Sequence, residues 1–190
     1  MTLIKTRALG INLADTFAFT GTVSGAGGGK LLQVQSTESN GRTTISSGSF
    51  TSINGLEDTI TPSATTSKIL VLVNAQFGAD SNNASVTYVG AKFKLYRNHS
   101  GISETEIFST HYQHNRPENS GMDMIFQDNA NFIYLDSPNT TNEVTYTTKG
   151  LNDPSTSGLE VIAGGSNDFD KTITLIEIGA WWKIIIYLKQ

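Results

Sequence analysis

Apolar and polar residues alternate along this chain in short stretches, which is the pattern of β-strands with one buried face. The clearest stretch is residues 68–77. Its apolar positions at period two are Ile69, Val71, Val73, Ala75 and Phe77. The opposite face begins with Leu70 and Leu72 and continues with the polar Asn74 and Gln76. A strand that is apolar on both faces at one end fits a sandwich or an oligomer contact.

Similar stretches recur about every 8–12 residues, separated by Gly, Asn and Pro turns. They are residues 31–36, 86–97, 106–110, 122–126, 132–135, 144–149, 159–162 and 172–178. In the last of them Ile173 and Leu175 share one phase and Ile176 and Ile178 the other, which indicates a bulge or a strand buried on both sides. No stretch has helical periodicity. The pattern predicts an all-β protein, an antiparallel, jelly-roll-like β-sandwich.

A hairpin is predicted around Asn54-Gly55, a dipeptide that favours two-residue turns between antiparallel strands. Residues 50–53 and 56–60 would be the two strands of this hairpin. Pro62 is expected to end the second strand, because proline cannot donate to the hydrogen-bond ladder.

The two ends of the chain differ from its middle. Residues 1–29 are predicted to be an arm with a Gly-rich linker, residues 30–179 a β-sandwich domain, and residues 180–190 an apolar tail. The tail is too short for a membrane helix, which needs about 20 apolar residues, and single transmembrane strands occur only in closed barrels. Exposed, it would promote aggregation, so we expect another polypeptide to cover it. The predicted subunit-contact residues are Ile11, Leu13, Phe17, Phe19, Trp181, Trp182, Ile184, Ile186 and Leu188.

Composition narrows the classes of protein. Hydrophobic residues make up 37% and charged residues 16% of the chain, and the net charge is −4. Such a composition with many β-branched residues is typical of short strands joined by polar turns rather than of disorder. The mild acidity and scattered Lys and Arg argue against a nucleic-acid partner. With no cysteine in the chain, disulfides and thiolate metal sites are excluded. The N-terminus has no long apolar core, so no signal peptide is expected.

Motifs for catalysis are weak or incomplete. The glycines before Lys30 lack the first Gly and the Ser/Thr of a phosphate loop, and no Gly-x-Ser-x-Gly elbow occurs. His111 and His114 would point to opposite faces of a strand, although in a loop they could bind a metal together with Glu104, Glu106 or Asp123. Residues 167–170 offer oxygen ligands for calcium but lack the rest of an EF-hand loop.

Glu104 and Glu106 could suggest the carboxylate pair of a glycosidase. Such pairs flank the scissile bond from opposite sides of a cleft, at roughly 5–9 Å, whereas Glu104 and Glu106 share one side of one strand. A solvated edge explains them better, and a carbohydrate-active enzyme is the least favoured reading. We expect no enzymatic activity, no cofactor and no metal site.

Several stretches resemble a module of bacteriophage virion proteins, including tail-fibre and minor structural proteins of marine and cyanobacterial phages. The likeness covers most of residues 27–179. Its stretches are GGGKLLQVQST at 27–37, TPSATTSKILVLV at 61–73, FKLYRN at 93–98, YLDSP at 134–138 and TITLIEI at 172–178. Residues 10–25 also look like a segment that precedes such modules. The resemblance implies a trimeric β-sandwich on the outside of a virion and brings no catalytic residues.

Two functions follow as expectations. The first is a homotrimeric tail fibre or surface projection that contributes to host attachment, made in the bacterial host cytoplasm and carried in the virion. The alternative is a capsid decoration or cement protein that stabilises the particle by exchanging arm and tail between subunits. This chain departs from the module by lacking a long shaft and by adding the tail.

The expected partners are further copies of the chain, other virion proteins and a host surface glycan, with no nucleic acid and no membrane insertion. Loops on a rigid sandwich are where binding usually resides. The candidate receptor residues, expected in loops, are Asn82, Asn83, His99, His111, Tyr112 and His114.

Overall fold

The computed structural model describes residues 30–46, 48–81, 87–115, 124–153, 159–163 and 171–179. All regular structure in these residues is β-strand, which confirms the predicted all-β class. The strands are β1 (Leu31–Ser39), β2 (Thr43–Ile45), β3 (Thr51–Ile60), β4 (Lys68–Ser81), β5 (Tyr88–His99), β6 (Ile102–Asn115), β7 (Met124–Asp136), β8 (Val144–Asp153), β9 (Leu159–Ala163) and β10 (Lys171–Ile178).

The first sheet is built around β4. Strand β7 pairs along one edge of β4 from Ile69 to Ser81. The other edge is shared, because β10 pairs with residues 68–75 and β9 with residues 77–81. Strand β1 then pairs with β10, and β2 with β9. Strands β9 and β10 therefore lie end to end beside β4, and strands β2 and β1 lie end to end beside them. At any level the sheet is four strands wide.

The second sheet has the order β3-β8-β5-β6, and all the pairings in both sheets are antiparallel. The chain passes from one sheet to the other between β2 and β3, β3 and β4, β4 and β5, β6 and β7, β7 and β8, and β8 and β9. This alternation is the double-sheet arrangement of a jelly roll. The prediction of an antiparallel, jelly-roll-like β-sandwich is therefore confirmed.

The core between the sheets is filled by the inward face of each strand. The face of β4 predicted at period two is buried throughout, with Phe77 only 1% exposed. The Phe77 ring lies edge-on to Phe93 and Tyr112 of the second sheet, with centroid distances of 5.0 and 5.3 Å. Edge-to-face aromatic pairs are favourable beyond the area that they bury. This aromatic cluster joins the two sheets within the core.

The predicted hairpin at Asn54-Gly55 is wrong, because β3 runs through both residues as one strand. Ser52 pairs with Lys149 and Glu57 with Thr147, so the extra residues of β3 form a bulge. Gly55 has φ 78°, and a Cβ there would lie 2.1 Å from the Cβ of Ser39. Glycine is needed at this bulge for its positive φ and its close approach to β1, rather than for a turn. As predicted, β3 ends at Ile60, before Pro62.

The two phases of apolar residues in β10 belong to its two faces. Ile173 and Leu175 are 0% exposed in the core, whereas Ile176 and Ile178 lie half-buried on the outward face. Strand β10 pairs with β4 without a register shift from Lys171 to Ile178. The sequence offered two explanations for the two phases, a bulge or a strand buried on both sides. The regular pairing with β4 argues against a bulge in β10 and fits a strand that is buried on one face and half-buried on the other.

A buried ion pair also connects the sheets. Asp136 of β7 is 4% exposed. Its two carboxylate oxygens accept hydrogen bonds from Arg97 Nη1 of β5 at 2.8 and 2.9 Å. The hydroxyl of Tyr146 on β8 donates to the same carboxylate at 2.8 Å. Burial and the Asp136 carboxylate raise the pKa of Tyr146, so the hydroxyl keeps its proton and remains a donor.

Glu177 is buried near the C-terminal end of β10, on the same inward face as Ile173 and Leu175. Its Oε1 accepts hydrogen bonds from the N–H and hydroxyl of Ser63, both at 2.7 Å, and its Oε2 accepts one from Gln33 at 2.7 Å. Burial opposes ionisation of this carboxyl, but the Ser67 and Ser63 hydroxyls and the Gln33 amide outweigh burial and lower its pKa.

We expect Glu177→Gln to reduce the free energy of unfolding by about 1–2 kcal/mol at pH 7, because donors built for a carboxylate lose its charge. Since the folded pKa is lowered, the stabilisation is present above the unfolded pKa of about 4.3 and is lost as the pH falls through the folded pKa. Urea unfolding of both chains at neutral and acidic pH measures this. A gap between wild type and variant that stays constant down to low pH would contradict it.

Candidate functional site

The outward side of the first sheet carries an unusual band of apolar residues next to one end of the strands. One cross-strand row reads Val34, Ile176, Leu70 and Leu135, each directly paired with the next. The following row reads Ser36, Thr174, Leu72 and Ile133. We call the apolar members of these rows the outer apolar face: Val34, Leu70, Leu72, Ile133, Leu135 and Ile176.

Much of this face is open to solvent. The exposed fractions are 54% for Val34, 65% for Ile133 and 48% for Leu135. Leu31, which pairs with Ile178 just beyond the first row, is 70% exposed. Single exposed apolar residues are ordinary, but contiguous apolar patches mark interaction sites on soluble proteins.

The apolar character ends abruptly along the strands. The next row places Asn74 of β4 opposite Asn131 of β7 and Thr172 of β10, and Thr172 lies opposite Glu38 of β1. Gln76 and Asn129 form the pair after that. The outer apolar face is therefore a bounded patch rather than a general property of the sheet.

Both terminal segments join the described sandwich beside this patch. The N–H of Gly179 donates to the carbonyl of Lys30 at 2.9 Å, which continues the β1–β10 ladder by one bond. Residues 1–29 and 180–190 follow on from these two points and lie outside the described residues. The predicted subunit contacts fall there and stay predictions: Ile11, Leu13, Phe17, Phe19, Trp181, Trp182, Ile184, Ile186 and Leu188.

The outward side of the second sheet is charged. Lys94 contacts Glu106 and Lys149 contacts Glu104, each at 2.6 Å. The Nζ of Lys94 also lies 4.4 Å from the ring centroid of Phe50. The two glutamates that could suggest a glycosidase pair are each bound to a lysine instead. Cross-strand pairs of opposite charge on a solvated face are typical of an exposed sheet surface.

Most of the candidate receptor residues are not in loops. Asn82 and Asn83 lie outside the described residues, and His99 is the last residue of β5. The expectation that His111, Tyr112 and His114 occupy a loop is wrong, because β6 extends to Asn115. Strand β6 pairs with β5 over this whole stretch, as far as Asn115 opposite Tyr88. It lies at the edge of its sheet, where polar side chains can reach solvent. Whether these residues contact a receptor stays a prediction.

Their contacts show what each side chain does in the fold. Tyr112 packs against Phe77 and Phe93, and its hydroxyl donates to the Asn131 carbonyl at 3.4 Å. His111 lies on the outward side, 2.8 Å from Asp153. His114 points to the opposite side, 3.5 Å from Asp128.

The strand placement separates the two histidines that could have shared a metal in a loop. Asp123 and residues 167–170, the other oxygen ligands considered for metals, lie outside the described residues. Among the residues that the structure describes, no group of three or more His, Cys, Asp or Glu side chains is placed to hold a metal ion. The same residues contain no helix with the length and apolar character needed to cross a membrane.

Sequence reasoning identified part of the outer apolar face. The alternation places Leu70 and Leu72 opposite the core face of β4 and gives Ile176 its phase in β10. It predicts that Val34, Ile133 and Leu135 lie on strands, but it does not indicate which side of the strand they occupy. Their signal was the pairing register, which brings them into the rows of Leu70 and Leu72 and depends on contacts distant in sequence.

No protein-family model and no curated protein matches this sequence. Eiger TNF from S. frugiperda is a similar solved structure, with 8% identity and a TM-score of 0.34 over 76% of this chain and 92% of that chain. The VP2 subviral particle of infectious bursal disease virus has 10% identity and a TM-score of 0.30 over 78% of this chain and 40% of that chain. The Gt strain of that virus has 15% identity and a TM-score of 0.26 over 78% of this chain and 38% of that chain. TM-scores this low carry no argument about function.

Proposed function

We propose that this chain is a structural subunit of a virus particle, assembled as a homotrimer in a phage tail fibre or surface projection that contributes to host attachment. The observation that supports it most is the outer apolar face, with Ile133 65% and Val34 54% exposed. An apolar patch bordered by polar residues is the arrangement of a protein–protein contact. The resemblance of residues 27–179 to virion modules supports the setting.

In this proposal the chain performs no catalysis and needs no cofactor. Its partners are copies of itself, other virion proteins and, for a fibre, a glycan of the host surface. It is made in the bacterial host cytoplasm and carried in the virion. The sandwich supplies a rigid body, and the assembly is held by surfaces that one chain leaves uncovered.

The proposal predicts a mass in solution of three times the 20.5 kDa of one chain. Light scattering of the purified full-length chain over a range of concentrations measures this mass directly. Leu135→Glu should lower the mass, because a charge would enter the apolar contact, whereas Thr145→Glu on the outward side of the second sheet should leave it unchanged. A wild-type chain that stays a monomer at all concentrations would contradict the proposal.

One observation favours the alternative of a decoration or cement protein. Lys30 and Gly179, the described residues next to the two terminal segments, are hydrogen-bonded to each other beside the apolar patch. An exchange of arm and tail between subunits would start from these two neighbouring points. Host-cell binding by the purified oligomer would favour a fibre. Stabilisation of particles on addition of the oligomer, without binding to cells, would favour a cement protein.

A further inference from the structure

We propose that the outer apolar face of one copy of this chain receives the C-terminal segment, residues 181–188, of a second copy. This inference rests on the proposed assembly and names its contact. The segment begins two residues after Gly179, whose bond to Lys30 continues the β1–β10 ladder beside that face. It contains both tryptophans of the chain.

The alternation of the segment suits one apolar surface. In an extended conformation, Trp182, Ile184, Ile186 and Leu188 fall on one side. The other side carries Trp181, Lys183, Ile185 and Tyr187, so the one charged residue of the segment lies on that side. The wholly apolar side matches a face whose two rows contain no charged residue.

The segment is also long enough to cross the face. Eight extended residues span about 26 Å at about 3.3 Å per residue. The outer apolar face runs from β1 to β7 across four adjacent strands, which is about 14 Å at about 4.8 Å between neighbours. The segment is therefore long enough to cross the whole face, with residues to spare for the passage between copies.

A neighbouring copy fits better than the same chain. At Gly179, whose N–H bonds to the Lys30 carbonyl, the chain has already passed the row of Leu31 and Ile178, which lies beyond the outer apolar face. A return to its own face would require a reversal at once. A tight turn takes four residues and favours Gly, Asn, Asp, Pro and Ser, so a turn over residues 179–182 would put Trp181 and Trp182 at unfavourable positions.

The receiving patch and the inserted segment are different surfaces of the chain. Such a contact is heterologous, and it forms a closed ring when the rotation between copies is right. A trimer in which each segment lies on the next face would satisfy every patch and every segment. The N-terminal arm fits less well as the occupant, because Asp15 lies in phase with Leu13 and Phe17 and would bring a carboxylate onto an uncharged face.

The test uses the absence of cysteine from the full-length chain and its two tryptophans. A single cysteine is introduced as Ile133→Cys or as Val34→Cys, at the two sides of the face, and labelled with bimane, which tryptophan quenches on contact. We expect at least one of these labels to lose most of its fluorescence in the oligomer. Trp182→Phe should restore the emission, Trp181→Phe should restore it less, and Ser109→Cys on the second sheet should stay bright.

Exchange between copies is tested by co-refolding. Labelled Trp182→Phe chains are unfolded and refolded with an excess of unlabelled chains that retain Trp182, and the label should become quenched again. Bright labels at both face positions in an oligomer would overturn the inference and leave the proposed function standing. Quenching that does not transfer on mixing would overturn it in favour of the chain's own segment. Light scattering of the same samples reports separately on assembly, and a monomer would count against the proposed function.

Discussion

Asp136→Ala is expected to lower the free energy of unfolding by about 3–5 kcal/mol, the usual loss when one partner of a buried ion pair is removed. The substitution leaves the Arg97 guanidinium, with a side chain only 16% exposed, without the carboxylate that it contacts at 2.8 and 2.9 Å. It also removes the acceptor of the Tyr146 hydroxyl. Urea unfolding at a fixed chain concentration measures the loss, because assembly would couple stability to concentration.

The matched control is Glu104→Ala, which removes an exposed ion pair with Lys149. Exposed pairs contribute at most about 1 kcal/mol, so this variant should remain close to wild type. Equal small losses in the two variants would show that the Asp136 cluster does not hold the sheets together. A loss in Asp136→Ala that Arg97→Met relieves in the double variant would identify the stranded charge as the cause.

Phe77→Ala should cost a similar amount, about 3–5 kcal/mol, because it opens a cavity where the two sheets meet. Phe77 is 1% exposed, and its ring contacts Phe93 and Tyr112 across the sandwich. Neighbouring strands fix the backbone on both sides of β4, so the site has little freedom to collapse. The loss is measured from the midpoint and slope of urea unfolding.

Phe77→Leu serves as the control, since it keeps an apolar group in the cavity and should cost clearly less than alanine. The exposed Asn131→Ala change, on the outward side of the same sheet, should have little effect. If Phe77→Ala unfolds at the wild-type midpoint, the aromatic cluster is not the centre of the core.

The strands themselves could be predicted because their signal is local. Period-two alternation over residues 68–77 gave the core face of β4, and the two phases in residues 172–178 gave the two faces of β10. The charged residues at the ends of β10 could not be placed this way. Lys171 and Glu177 are both buried in phase with Ile173 and Leu175, and each depends on a partner distant in sequence.

Local turn chemistry failed where tertiary contacts decided the backbone. Asn54-Gly55 has the composition of a hairpin turn, but the pairing of β3 with β8 on both sides of it makes a single bulged strand. The Thr43 hydroxyl accepts a hydrogen bond from the Asn54 N–H at 2.9 Å, which ties the bulge to the first sheet. A dipeptide preference reports what a turn needs and not whether the flanking strands pair with each other.

The candidate site was accessible from sequence only in part. The alternation of residues 31–36 and 132–135 predicted strands, but which side faces outward depends on register and on the partner sheet. The same limit explains His111 and His114, whose polar neighbours suggested a loop although they suit an edge strand. The composition of residues 181–188 suggested a contact, and the structure supplies a surface of matching character beside their point of attachment.

Contacts made through the two outward sides of the sandwich should change in opposite directions when the ionic strength is raised. Added salt screens the Lys94–Glu106 and Lys149–Glu104 pairs on one side of the sandwich. The apolar rows on the other side have no charge to screen, and salts that are excluded from protein surfaces strengthen their burial. An assembly formed through the apolar side would therefore stay together at high salt, while contacts made through the charged side would weaken.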